Sequence, residues 1–147
     1  MTESIIHEAR MALRRRHRAL RDAMTAEECA ALSRMICRRL TQEVWYASCP
    51  VIYGYYPLGR EADCLAFLKQ ALADGKQVAL PRMRGAGSAE MDFYAVASPD
   101  QVAEGAFHVM EPLLTCPPVR EETAVVLVPG VVFDPAGGRY GYGKGCY

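Results

Sequence analysis

The segment GGRYGYGKG, residues 137–145, contains five glycines, one arginine and one lysine within nine positions. Glycine lets backbone N–H groups converge on an anion without interference from a Cβ atom. Arg139 and Lys144 can add charge-assisted hydrogen bonds to phosphate oxygens. The segment therefore predicts a phosphate-binding site, and a flexible glycine loop without a ligand is the alternative interpretation.

Known phosphate motifs match this segment incompletely. Residues 138–144 fit the first seven places of a P-loop, but Gly145 stands where serine or threonine holds magnesium. Gly141, Gly143 and Gly145 are not a dinucleotide fingerprint either, because the third glycine comes one residue early. The segment alone indicates a phosphate but not a particular nucleotide.

Two helices are predicted before this segment. Apolar residues recur at roughly helical spacing over residues 5–24, and arginines fill the remaining faces, which indicates an amphipathic and strongly basic helix. Thr25 and Glu28 match a capping box, so a second helix is expected over residues 26–46.

Strands and helices then alternate. The predicted strands are residues 51–56, 76–80, 91–96 and 123–128, the second ended by Pro81 and the fourth by Pro129. A helix over residues 61–74 is predicted to close at Gly75. This order predicts an α/β fold with a mostly parallel sheet and helices on both faces. Ligands of such sheets bind beyond the carboxyl ends of the strands, and the glycine segment follows the last predicted strand.

Composition limits the class of protein. A chain of 147 residues with 51% hydrophobic side chains is expected to form one domain, residues 1–147. The 17 basic and 17 acidic residues cancel, so neither a nucleic acid nor a membrane surface is expected as the main partner. The six cysteines include no C-x-x-C pair, and no signal or membrane-spanning segment is recognised. These features predict reduced thiols and a soluble cytoplasmic protein.

A longer segment, VPGVVFDPAGGRYGYGKGCY (residues 128–147), resembles the signature of the 5-formyltetrahydrofolate cyclo-ligase family, also called methenyltetrahydrofolate synthetases. In that signature a strand leads into P-G-x-x-F-D-x-x-G-x-R-x-G-x-G-x-G-Y-Y-D, and Cys146 replaces the first of the two tyrosines. The basic first helix and the segments YYPLGREAD, ALPR, MDF and MEP follow the family order. The resemblance covers essentially the whole chain.

The resemblance implies an enzyme that uses ATP and Mg²⁺. The family transfers the γ-phosphate of ATP to the formyl oxygen of 5-formyltetrahydrofolate, and a neighbouring folate nitrogen then closes the ring to 5,10-methenyltetrahydrofolate. Phosphoryl transfer depends on positioning and charge neutralisation, which backbone N–H groups, arginine, lysine and a metal ion supply. The expected partners are 5-formyltetrahydrofolate and ATP.

The resemblance also implies roles for individual residues. Lys144 and Arg139 are expected to be catalytic, and Arg10 and Arg14 to contact ATP from the first helix, although the family usually has lysine at position 10. The ATP loop would consist of Arg139, Tyr140, Gly141, Tyr142, Gly143, Lys144, Gly145, Cys146 and Tyr147. Without the family, the two helix arginines are more simply a solvated helix face.

Folate contacts are expected at Tyr56, Glu61 and Tyr142. The Glu61 carboxylate can accept from donors on the pterin, and aromatic rings can stack on it. The simpler alternatives are a strand-end aromatic for Tyr56 and, for Glu61, a residue in the first turn of a helix, stabilised by the helix dipole. Met91 and Phe93 are expected in the core, with a possible contact to folate.

The family sequence continues beyond Tyr147 into an aspartate that serves the metal, so no metal ligand is predicted within this chain. The expectation is a Rossmann-like, three-layer domain whose last helix and strands are missing, present as a monomer or a weak homo-oligomer. The alternative function is a non-catalytic relative that binds folate or nucleotide, or that self-associates through the open sheet.

Overall fold

The computed structural model describes residues 2–85, 87–105, 108–143 and 145–147. Helices occupy the first third of the chain, and strands dominate the rest. In chain order the elements are α1 (Thr2–Asp22), α2 (Ala26–Gln42), β1 (Val51–Tyr53), α3 (Leu65–Ala73), β2 (Gln77–Met83), β3 (Met91–Val96), β4 (Val102–Glu104), β5 (Met110–Pro112), β6 (Pro118–Val119), β7 (Val125–Val126), β8 (Val132–Phe133) and β9 (Arg139–Tyr140).

The main sheet has five strands in the order β6-β3-β2-β1-β7. Strand β1 pairs in parallel with both β2 and β7, whereas β3 runs antiparallel to both β2 and β6. Two short antiparallel pairs, β4-β5 and β8-β9, stand apart from this sheet. The predicted α/β class is therefore confirmed, with a mixed sheet whose parallel strands are β7, β1 and β2.

The core lies mainly on the sheet face that α3 covers. Ile52, Val78 and Leu80 point to this face, where they pack with Phe67 and Leu68 of α3 at 1% exposure or less. The opposite face carries a smaller cluster built on Val51, Tyr53 and Ala79, whose apolar neighbours come from β3, β6 and the loop before β7. The alternation of neighbours between the two faces follows from the two-residue period of a strand.

The helix boundaries depart from the sequence prediction at two points. Helix α2 ends at Gln42 rather than at residue 46, and the chain turns so that Trp45 and Tyr46 both pack on Phe67, with ring centroids 6.4 and 5.6 Å away. In a continued helix, these adjacent side chains would diverge. Helix α3 begins at Leu65 rather than at residue 61, and its predicted end is confirmed by Gly75, which has a φ of 84°.

Strand β2 continues through Pro81, where the sequence predicted an end. Arg84 N–H donates to the Glu90 carbonyl, which makes Arg84/Glu90 a hydrogen-bonded pair of the antiparallel ladder between β2 and β3. Because bonded and non-bonded pairs alternate along such a ladder, the Pro81/Phe93 pair falls at a position without backbone hydrogen bonds. Pairing with β1 extends only to Ala79. After the bond from Gly54 N–H to the Ala79 carbonyl, the next donor of this parallel ladder would be the N–H that Pro81 lacks. The predicted end at Pro81 is therefore right for the pairing with β1 and wrong for the pairing with β3, which continues to Met83. Strand β7 is shorter than its predicted range, whereas the bounds predicted for β3 are confirmed.

The predicted capping box at the start of α2 is confirmed. The Thr25 hydroxyl accepts from Glu28 N–H at 3.1 Å, and the Glu28 carboxylate accepts from Thr25 N–H at 3.2 Å. We expect the substitution Thr25→Ala to lower the free energy of unfolding by about 1 kcal/mol, because one helix N–H loses its acceptor. Urea denaturation would measure this, with Thr2→Ala at the exposed start of α1 as the control. An unchanged denaturation midpoint would contradict the expected role of the cap.

Helix α1 differs from α2 and α3 because none of its side chains is fully buried. Its Ile5 and Leu20 side chains are 65% and 57% exposed. No helix among the described residues combines the length and apolar character needed to cross a membrane. What holds α1 in place is a set of polar and aromatic contacts to the end of the chain.

Candidate active site

A cleft of about 510 Å³ opens at the carboxyl ends of the parallel strands β1, β2 and β7. The chain reaches its wall directly after β1, at Tyr55 and Tyr56, and after β7, at Pro129. Its volume falls within the range typical of small-molecule sites. The cleft therefore lies where an α/β sheet is expected to bind a ligand.

Most of the residues predicted to bind ligands line this one cleft. They are Arg14, Tyr56, Glu61, Arg139, Tyr140, Gly141, Tyr142, Gly143, Gly145, Cys146 and Tyr147. Arg10 is not in the wall but lies behind it, with its Cζ atom 5.8 Å from the centre of the Tyr140 ring. Lys144 lies outside the described residues, while its neighbours Gly143 and Gly145 are in the wall.

The first residues of the glycine segment form part of the turn between β8 and β9 and then strand β9 itself. Asp134 shapes the turn, because its Oδ1 atom accepts from the N–H groups of Ala136 and Gly138, both at 2.8 Å. Beyond β9, Gly143 and Gly145 have φ values of 85° and 68°, a backbone conformation that side chains with a Cβ rarely adopt. Glycine at these two positions is thus required by the path of the backbone along the cleft.

Helix α1 presents a row of four arginines to this segment, at a spacing that places them on one helix face. We call Arg10, Arg14, Arg18 and Arg21 the arginine row. Arg14 Nε donates to the Gly141 carbonyl at 2.8 Å, and its Cζ atom lies 5.3 Å from the centre of the Tyr140 ring. The solvated helix face considered as an alternative for Arg14 is therefore wrong, because this side chain is half-buried against the loop.

The second half of the arginine row contacts Tyr142. Arg18 Cζ lies 5.5 Å from the centre of the Tyr142 ring, a cation–π distance. Arg21 Nη2 donates to the Tyr142 hydroxyl at 3.2 Å. The sequence prediction missed both arginines, although the spacing from Arg14 to Arg18 to Arg21 is the signal that could have identified them.

Glu61 occupies a turn before α3 and lies in the wall of the cleft. Its Oε1 atom accepts from Leu58 N–H at 2.7 Å. Burial raises the pKa of this carboxyl group, and the Leu58 N–H, the charge of Arg21 and the Tyr142 hydroxyl act in the opposite direction. Since α3 begins only at Leu65, the interpretation of Glu61 as a first-turn residue stabilised by the helix dipole is wrong.

Two further tyrosines surround Glu61. The Tyr55 hydroxyl donates to the Ala62 carbonyl at 2.7 Å, and burial raises its pKa. Burial also raises the pKa of Tyr147. Both phenols therefore remain neutral at physiological pH. They give this end of the cleft an apolar, aromatic wall around one carboxylate.

The cleft wall also contains Glu111, which the sequence prediction did not select. Its Oε2 atom accepts from Met83 N–H at 2.8 Å, so the carboxylate joins β5 to the end of β2. The residue belongs to the MEP segment, which follows the family order but to which the sequence prediction gave no role. Met91 lies beside it in the cleft wall, whereas Phe93 stacks on Tyr53 at 4.6 Å in the smaller core cluster.

Arg139 borders the cleft with an exposed side chain, and its Nε atom donates to the Pro129 carbonyl at 3.2 Å. Among the described residues, no group of three or more histidine, cysteine, aspartate or glutamate side chains could hold a metal ion. The wall contains the cations Arg14 and Arg139 beside the glycine backbone, which suit an anion. The pair Glu61 and Tyr142 suits a ligand with N–H groups and a flat ring.

Comparisons with known proteins agree with this arrangement. Residues 6–147 match the model of the family described as the 5-formyltetrahydrofolate cyclo-ligase family. A Caenorhabditis elegans protein named "Probable 5-formyltetrahydrofolate cyclo-ligase" is 28% identical over an alignment of length 153, which covers 98% of this chain and 73% of the relative.

Solved structures give the same result. The NMR structure of Aquifex aeolicus 5,10-methenyltetrahydrofolate synthetase superposes with a TM-score of 0.80 and 31% identity, over 94% of this chain and 69% of that one. A 5,10-methenyltetrahydrofolate synthetase from Mycoplasma pneumoniae shares the fold, with a TM-score of 0.69 and 19% identity over 92% of this chain and 73% of that one. The extent of the family match shows that this chain belongs to the 5-formyltetrahydrofolate cyclo-ligase family.

Proposed function

We propose that the cleft catalyses the ATP-dependent cyclisation of 5-formyltetrahydrofolate to 5,10-methenyltetrahydrofolate, with release of ADP and phosphate. Membership in the family makes the chain an ATP-dependent ligase of one-carbon metabolism. One observation supports the assignment of this reaction to the cleft. Arg14 and the glycine segment, which suit phosphate, meet Glu61, Tyr56 and Tyr142, which suit a pterin, in a single cavity.

The phosphate end would act on the first step. The formyl oxygen of the folate takes the γ-phosphoryl group of ATP, and the bond from that group to the bridging oxygen breaks to release ADP. Backbone N–H groups at Gly141, Gly143 and Gly145 would hold phosphate oxygens, and Arg14 and Arg139 would balance their charge. Lys144 is proposed to stabilise the transferring group. Arg10, stacked behind Tyr140, would support the same end.

The aromatic end would hold the folate for the second step. The neighbouring folate nitrogen attacks the activated formyl carbon and loses its proton, and the phosphate leaves with the former formyl oxygen and takes up that proton. Glu61 would accept hydrogen bonds from pterin N–H groups, and Tyr56 and Tyr142 would contact the ring. Cys146 and Tyr147 would close the wall between the two ends. The protein's contribution to this step is position, which alone can supply a large share of a rate enhancement.

Magnesium is proposed to enter with ATP. The described residues offer no protein cage for the ion, and Mg²⁺ in nucleotide sites is commonly held by phosphate oxygens and water, with few protein ligands. No step of the proposed mechanism therefore passes through a metal held by the protein.

The proposed partners are the two substrates, 5-formyltetrahydrofolate and ATP, and not nucleic acid or membrane. The balanced charge of the chain supports this proposal, because no net field attracts a polyanion. We propose a monomer or a weak homo-oligomer. A cytoplasmic location is proposed from the six cysteines, all of which are free thiols.

A turnover assay tests the proposal. The chain is mixed with 5-formyltetrahydrofolate, ATP and Mg²⁺, and the absorbance of the methenyl product and the amount of ADP are followed together. We expect both to grow in equal amounts, and neither to form when a non-hydrolysable ATP analogue replaces ATP. Folate binding without any product would instead identify a non-catalytic relative and would overturn the proposed reaction.

A further inference from the structure

The last arginine of the arginine row is placed differently from the solvated arginines of the same helix. The Arg21 side chain is 20% exposed, although it lies at the end of a helix that buries no side chain completely. Arg15 and Arg16 of α1 are both exposed. Holding a guanidinium away from water is unfavourable unless polar partners compensate. The position of Arg21 therefore calls for partners in the protein or the ligand.

Its partner in the glycine segment is the Tyr142 hydroxyl, at 3.2 Å. This contact joins residues that are 121 positions apart in the sequence. The carboxylate of the adjacent Asp22 lies 4.0 Å away and is 58% exposed, so it is a weak competitor. Arg18 lies over the ring of the same tyrosine. Two arginines thus fix both the ring and the hydroxyl of Tyr142.

Tyr142 and Glu61 both line the cleft. Both the charge of Arg21 and the Tyr142 hydroxyl favour the ionised carboxylate, against the burial that disfavours it. Leu58 N–H holds one oxygen of the same carboxylate at 2.7 Å. The turn before α3 therefore holds the carboxylate by a hydrogen bond, and the charge of Arg21 favours its ionised form.

We propose that Arg21 is a positioning residue for folate: through the Tyr142 hydroxyl it fixes the aromatic ring that receives the pterin beside Glu61. This inference rests on the proposed function, since it assigns the Glu61 end of the cleft to the folate. Arg21 itself would not touch the reacting atoms. The first half of the arginine row would serve ATP, and the second half would serve the second substrate.

The test is a double-mutant cycle read by binding and by turnover. Arg21→Ala, Tyr142→Phe and the double variant are compared in their Kd for 5-formyltetrahydrofolate, measured by calorimetry without ATP, and in KM for each substrate. We expect each single variant to raise the folate Kd and KM about tenfold, the scale of one hydrogen bond to a charged group. The double variant is expected to differ little from either single one, because both remove the same contact. Arg21→Lys should recover part of the loss.

The controls separate positioning from a general loosening of α1. Arg15→Ala removes an exposed arginine of the same helix and is expected to leave both constants unchanged. The KM for ATP is expected to change less than twofold in the Arg21 variants. An equal rise in both KM values together with a lower melting temperature would show a structural role only and would overturn the inference. So would additive losses in the double variant.

The two proposals can fail separately. If the unsubstituted chain binds the folate but forms no product, the proposed function fails, and the Kd series still decides the role of Arg21. If it turns over normally and the folate Kd is unchanged in Arg21→Ala, only the role of Arg21 falls. If the unsubstituted chain neither binds the folate nor turns over, both are overturned.

Discussion

Glu61→Gln is expected to lower kcat/KM for 5-formyltetrahydrofolate about 100-fold, or about 2.8 kcal/mol at 1.4 kcal/mol for each factor of ten. The glutamine keeps the size of the side chain and its bond from Leu58 N–H. It replaces a charged acceptor with a neutral group that also presents donors, so pterin N–H groups buried against it would lose a charge-assisted partner. Steady-state kinetics with varied folate at saturating ATP measure the effect.

The same substitution is expected to stabilise the fold. Burial raises the pKa of Glu61, so the native state binds its proton more tightly than the unfolded state does. The carboxyl group therefore supports folding below its ordinary pKa, and that support is lost as the pH rises through the raised value. Glutamine does not ionise, so this loss is absent from the Glu61→Gln variant. Thermal melting should show a gain for Glu61→Gln at pH 7 that disappears at acid pH.

A matched control for Glu61 is Glu27→Gln, a change at an exposed position in the first turn of α2. This variant should leave the folate kinetics unchanged. If Glu61→Gln kept full activity, the assignment of this end of the cleft to the pterin would be wrong. If it lost activity and stability together, the loss would reflect folding rather than recognition.

Lys144→Ala is expected to lower kcat by about 100-fold to 1,000-fold, with a smaller change in KM for either substrate. The expectation comes from the signature and from charge: removing one preorganised donor from a transition state that gathers negative charge has effects of this size. The position follows Gly143 and precedes Gly145, both of which line the cleft. Single-turnover measurements of product absorbance would separate the chemical step from product release.

Lys69→Ala is the matched control, because Lys69 is an exposed lysine of α3. It should retain full activity. A Lys144→Ala variant that kept its kcat but showed a higher KM for ATP would make this lysine a binding residue only. Arginine keeps the charge but not the point geometry of the ammonium group. Recovery of kcat by Lys144→Arg would therefore show that the charge suffices, and no recovery would show that the geometry is also needed.

Local chemistry made parts of the fold predictable. The capping box at Thr25 and the left-handed stop at Gly75 depend on neighbouring residues alone, and both were located from sequence. Pro81 was misjudged because its effect depends on which partner strand lies beside it, and pairing is not a local property. The early end of α2 has the same cause, since Trp45 and Tyr46 turn toward Phe67, a residue from another element.

The candidate site shows the same division. The glycine segment was evident because its composition is rare, and the family signature supplied Tyr56 and Glu61. Arg18 and Arg21 could not be distinguished from the other arginines of α1 without knowing which face meets the loop. Glu111 was missed for a related reason, because its role depends on an unpaired N–H at the end of β2.

The contacts between α1 and the loop join the two ends of the chain, and this affects the order in which the molecule folds. Arg14 and Gly141 are separated by 127 positions, so their contact closes a very long loop, and α1 adds no buried side chain to repay that entropy. The sheet and α3, with contacts closer in sequence, can form first. The cleft would then be the last part of the molecule to assemble and the first to open, so a bound ligand acts as the final folding contact.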